Sequence, residues 1–207
     1  MIHLELGWRL LNAGDPFSAR SEIRAIGECS PQPHGPIARV AEALSTAVGL
    51  RYEHGVTLDD LAASFDALHA DDPYRQDVAL VLAEEAVAAR RPTLVSFRAD
   101  AMQAIAAEQP SDEAGQTVAA RLRMCLSDCG GDWDGLATGV GRHYSPRLAA
   151  WILARHARHL ALTLRPDESV ERWFEAIERA CNERLFEDAA DWLYAVRAVK
   201  VKSDRID

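Results

Sequence analysis

The sequence has no run of about 18 apolar residues, so none of it is expected to span a membrane. Its opening residues, Met-Ile-His-Leu-Glu-Leu, contain no basic stretch followed by an apolar one. Secretion is therefore not indicated, and a cytoplasmic location is expected. Cysteine is sparse: Cys29, Cys125, Cys129 and Cys181 make no C-x-x-C pair, and a chain this long and apolar needs no disulfide staples. Reduced thiols are expected. Basic residues are in deficit, 23 against 32 acidic, and the formal net charge of −9 would repel phosphate backbones. Nucleic acid is accordingly not an expected partner. Ile, Thr, Tyr and Phe are few, and no segment alternates convincingly with period two, so β-sheet is not expected.

The chemistry-bearing motifs are missing as well. There is no G-x-S-x-G elbow, no G-x-x-x-x-G-K-[ST] loop and no G-x-G-x-x-G after a strand; Gly139-Val140-Gly141 is an isolated fragment. The Arg-x4-His pair shared by one class of helical bacterial nucleases is also missing, because none of the seven histidines has an arginine five residues ahead of it. His156 and His159 are three apart and share a helical face, which could hold a metal. The zinc-protease motif needs a spacing of four and an adjacent glutamate, and Arg158 beside the pair would oppose a cation. Asp128, Asp132 and Asp134 crowd around Gly130-Gly131 without the ligand spacing or distant glutamate of a calcium loop, so helix capping accounts for them. The chain is expected to be no enzyme and to need neither metal nor cofactor.

What is present is helix. Hydrophobic residues make up 48% and charged residues 27%, the balance of a folded chain, and Ala and Leu dominate the apolar fraction. Apolar positions recur with helical period through about eleven segments joined by short loops. The punctuation is chemical: Asp15 before Pro16, Thr57 with Asp60 three residues on, Ser111, Asp132 and Ser145-Pro146 all read as helix starts. The third helix is expected from about Ile37 to His54 with Gly55 as its stop, and the sixth from Leu94 to Pro110 as one piece.

Self-similarity runs along these segments. Leu6-Gly7, Leu10, Ala19, Ile23 and Pro31 form one unit; Val48-Gly49, Tyr52, Leu61, Phe65 and Pro73 form a second. A third holds Ala86, Ala89, Met102 and Pro110, and a last holds Trp173, Ala176, Ala180, Phe186, Ala189 and Leu193. The pattern resembles the tetratricopeptide repeat in divergent form, with lengthened helices and an irregular unit over 111–145. The resemblance implies an all-α fold, an α-solenoid of antiparallel helix hairpins forming a single domain over 1–207. Small residues would let paired helices cross closely, and large apolar ones would fill the space between pairs.

Arrays of this kind bind partners on the first helices of their pairs. Carried over residue by residue, the resemblance implies a groove lined by Trp8 and Asn12, Leu50 and His54, Val87 with Arg90 and Arg91, and Phe174 and Glu178. An apolar floor with arginines at one point suits an extended or helical protein segment. The expected function is therefore a non-enzymatic interaction scaffold, with a protein or peptide partner. Its Ala/Arg-rich composition points to a bacterial assembly. The alternative expectation is a helical regulator that takes a small anionic ligand or nucleotide at Arg155, His156, Arg158 and His159. Apolar residues reach both ends of the array, which predicts a homodimer, a larger multi-subunit complex or a piece of a longer polypeptide.

Overall fold

The computed structural model describes residues 2–29, 35–52, 55–107, 113–130 and 132–203. Among these there are twelve helices and no strand. The chain divides into two compact units, Met1–Cys129 and Gly130–Asp207, where one continuous array was expected. The division falls inside the irregular stretch 111–145, at Gly130, whose φ of 105° few other residues could adopt.

The first unit holds α1 (Ile2–Asn12), α2 (Pro16–Cys29), α3 (Pro36–Tyr52), α4 (Leu58–Asp66), α5 (Arg75–Ala88), α6 (Thr93–Ser96), α7 (Ala99–Ala107) and α8 (Glu113–Asp128). Local chemistry sets several of its boundaries. Asp15 accepts from the Ser18 amide ahead of α2, and Thr57 and Asp60 complete a reciprocal capping box on α4. The single sixth helix expected from Leu94 onward is two pieces, α6 and α7. Between them Arg98 donates to Leu94 O and pairs with Asp66 of α4.

Helix α5 organises the unit. Val78, Ala79, Leu80, Val81, Leu82 and Ala83 are all fully buried, so the helix is covered on every side. It packs against α1, α3, α4, α6, α7 and α8. An open solenoid places each helix against its chain neighbours, whereas α5 is a hub with helices around it. Arginines from two of those helices tie the hub to the end of α1. Arg51 donates to Leu11 O and pairs with Glu84 and Glu85; Arg121 donates to Asn12 O and pairs with Glu84. Gly7 is small for a reason other than a matching small residue on α2: a Cβ there would come within 2.7 Å of Leu44 Cδ2 on α3.

The second unit holds α9 (Trp133–His143), α10 (Pro146–Leu162), α11 (Pro166–Asn182) and α12 (Phe186–Ser203). Its main contacts run between chain neighbours, α9 on α10, α10 on α11 and α11 on α12. Asp132 caps α9 through the Gly135 amide, and Ser145 caps α10 through that of Leu148. Helices α10 and α11 approach closely at buried Ser169, whose hydroxyl donates to Ala157 O at 2.7 Å. Helices α11 and α12 meet through Trp173 and Trp192, ring centroids 6.2 Å apart.

One turn recurs across both units. Leu164 between α10 and α11, Arg184 between α11 and α12, and Arg90 after α5 all have φ near 60°, as Gly14 after α1 has 85°. In each case the next amide bonds back to a carbonyl five residues earlier: Arg165 to Leu160, Leu185 to Ala180, Arg91 to Ala86 and Asp15 to Leu10. This is the helix-ending loop in which one left-handed residue turns the chain sharply.

Candidate functional site

The groove positions expected from the repeat pattern have different environments. Trp8 is 1% exposed and belongs to the core, so it presents no face to a partner. The neighbouring Gly7 lies at a close approach of α3, where an added Cβ would stand 2.7 Å from Leu44 Cδ2. Asn12 donates to Asp77 of α5 at 2.5 Å. Leu50 and Val87 are half-buried against the core, and His54, with Pro31, Pro110 and Ser111, lies outside the described residues. Arg90 is exposed in its left-handed turn, and Arg91 is held by both oxygens of Asp59 at 3.0 Å. In the second unit Phe174 and Glu178 are exposed on α11.

A cleft the sequence did not announce lies in that second unit. Its volume is about 160 Å³, and it is built around His156 of α10. Asp134 of α9 and Glu168, Glu171 and Glu175 of α11 supply its carboxylates; Arg172 and Leu160 complete the lining. The spacing of 168, 171 and 175 puts the three glutamates on one face of α11, and Glu178 continues that row by one turn.

His156 is only 1% exposed. Its ring lies parallel to the Trp133 indole, centroids 5.4 Å apart, and His159 leans on the same indole at 5.9 Å. Nε2 stands 3.6 Å from Asp134 Oδ1, beyond hydrogen-bonding distance, and buried Nδ1 has no hydrogen-bond partner among the described residues. Burial holds the imidazole below its usual pKa, and Arg172 adds to that effect, while Asp134 opposes it and His159 and Arg165 reinforce it. At neutral pH the cleft therefore contains an uncharged imidazole.

The carboxylates are unequally compensated. Glu168 is paired with Arg165, which lowers its pKa, and Glu175 accepts from Arg172 at 2.8 Å with Arg179 at 3.8 Å. Among the described residues Glu171 is exposed with no ion pair, and Asp134, whose side chain is 74% exposed, makes none with an arginine, although its charge is felt by Arg165. Two carboxylates without an ion-pair partner, at the mouth of a small cleft, favour a cation.

The four residues expected to hold an anion have different surroundings. Arg155 and His159 are half-buried, Arg158 is exposed, and His156 faces acidic residues from α9 and α11. An anion placed beside His156 would meet those carboxylates together with Arg172 and Arg165. Among the described residues, no three His, Cys, Asp or Glu side chains converge as metal ligands. Against protein-family models, curated proteins and solved structures, the chain finds no match.

Proposed function

We propose that this protein is a non-enzymatic recognition module in which helix hairpins of the tetratricopeptide kind hold a segment of a partner protein. The observation that carries this reading is the size and chemistry of the cleft on α9, α10 and α11. Metabolite sites are commonly about 300 Å³ or larger, whereas about 160 Å³ matches one inserted side chain. The exposed Phe174 and Glu178 beside it offer a further turn of contact surface on α11. The solenoid reading rests on the second unit, where α10, α11 and α12 follow one another through the same left-handed turn.

The test is a peptide-display selection against the full chain, followed by calorimetric titration of enriched segments. A Phe174→Ala, Glu178→Lys double variant is expected to weaken an enriched peptide at least tenfold while keeping its helical circular dichroism. A selection that enriches nothing above an uncoated control would end this reading.

A further inference from the structure

We infer that the second unit's cleft is a specific receptor for a guanidinium group, so that the segment this protein recognises inserts an arginine there. The inference rests on the recognition reading above and names the chemistry of the bound segment.

Three independent features point the same way. The first is charge: Asp134 approaches from α9 and Glu171 from α11, neither in an ion pair with an arginine or lysine among the described residues, on two different walls of one cleft, with Arg165 near enough to feel Asp134 but paired with Glu168. A cation between them would neutralise both. The second is a buried polar group without a bond. His156 is 1% exposed and lines the cleft; among the described residues its Nδ1 is unbonded, and its Nε2 is too far from Asp134 for a hydrogen bond. An uncharged imidazole offers an acceptor nitrogen, and a buried acceptor left unmade is costly. The third is shape. The volume is about 160 Å³, and Leu160 gives it an apolar wall beside the carboxylates. A guanidinium is planar, weakly hydrated and carries five donors in a fixed fork. It can pair with a carboxylate through two parallel bonds and still direct a donor at a third acceptor. An ammonium is a compact, strongly hydrated point charge and would leave the apolar wall unused.

The resident cations do not pre-empt the position. Arg172 is engaged with Glu175, and Arg165 with Glu168. The groups facing His156 are Asp134 from α9, Arg172 and Glu168 from α11, Arg165 before α11 and its own helix neighbour His159. Once His156 is protonated, it would repel an incoming guanidinium and engage Asp134 itself.

The experiment is a nuclear magnetic resonance titration of the full chain with N-acetyl-arginine amide, following the Trp133 indole and the His156 ring. Saturable shifts of both are expected. N-acetyl-citrulline amide, the uncharged isostere, is expected to leave them unmoved, and N-acetyl-lysine amide to bind at least threefold more weakly. An arginine inside a displayed peptide should bind more tightly than the amide, whereas equal affinities would mean a free-arginine site and overturn the partner-segment assignment. Asp134→Asn with Glu171→Gln should lose at least tenfold in affinity. Both residues lie at the surface, so folding is preserved and circular dichroism checks it. Citrulline binding as well as arginine, or a double variant binding as well as the parent, would overturn the inference. If display instead enriches segments without basic residues, the guanidinium assignment fails while the recognition reading stands; if it enriches none, the recognition reading fails first.

Discussion

A single carboxyl in the first unit illustrates how far local chemistry departs from what a sequence displays. Asp77 stands in the first turn of α5, receives a hydrogen bond from the Asn12 amide, and is pushed by burial from 3.8 up to about 6. Its protonated form carries the donor that buried Asn12 Oδ1 lacks. The folded state thus binds this proton more tightly than the unfolded chain does. Its contribution to stability is fully present below pH 3.8 and is lost as pH rises through about 6. Asp77→Asn is expected to raise unfolding stability at pH 7.5 by about 2 kcal/mol, discounted for the residue's partial exposure, and to change nothing below pH 4. Urea unfolding of both chains at the two pH values checks it; an equal effect at both would rule out titration as the cause. Asp72 behaves oppositely, held at about 2 by the Arg39 guanidinium despite its burial. Its contribution is present above 3.8 and lost as pH falls toward about 2.

At the scale of elements, α9 shows how a cap places a site. Asp132 reaches the Gly135 amide at 2.7 Å, and a Cβ on Gly135 would stand 1.9 Å from Asp132 Oδ2. Gly135→Ala must therefore displace the cap and loosen the turn that carries Trp133 and Asp134. The expected cost is about 1 kcal/mol of stability together with a loss of arginine-amide binding of threefold or more. Thermal unfolding and the same resonance titration read the two effects. Unchanged binding would mean that the cap does not position Asp134. Such local signals were legible: Thr57 with Asp60, Asp132, Ser145-Pro146 and Asp15-Pro16 mark helix starts because capping acts within three residues. The all-helical class was legible for the same reason. The hub was partly so, since the unbroken apolar run Val78–Ala83 has no solvent face, yet nothing within it names the helices that surround it. The cleft was not legible, because Asp134, His156 and Glu171 meet only when α9, α10 and α11 pack. Trp8 was misplaced because repeat spacing fixes which side of a helix a residue occupies, but not whether another helix covers that side.

For the molecule as a whole, the net charge of −9 acts at longer range than any single carboxylate. A basic segment should be drawn in from solution, and salt should screen that attraction. Raising sodium chloride from about 0.05 to about 0.5 M is expected to slow association of an arginine-bearing peptide several-fold and to change its dissociation little. Stopped-flow mixing measures both, and a salt-independent association rate would remove long-range steering from the account. The hub helix also bears on how the chain is made. Synthesis delivers residues at about 5–20 per second, so the roughly forty residues from the end of α5 to the end of α8 take about 2–8 seconds to appear. Throughout that interval the nascent chain carries a helix with one side still waiting for its cover, a window in which a ribosome-bound chaperone has something to hold.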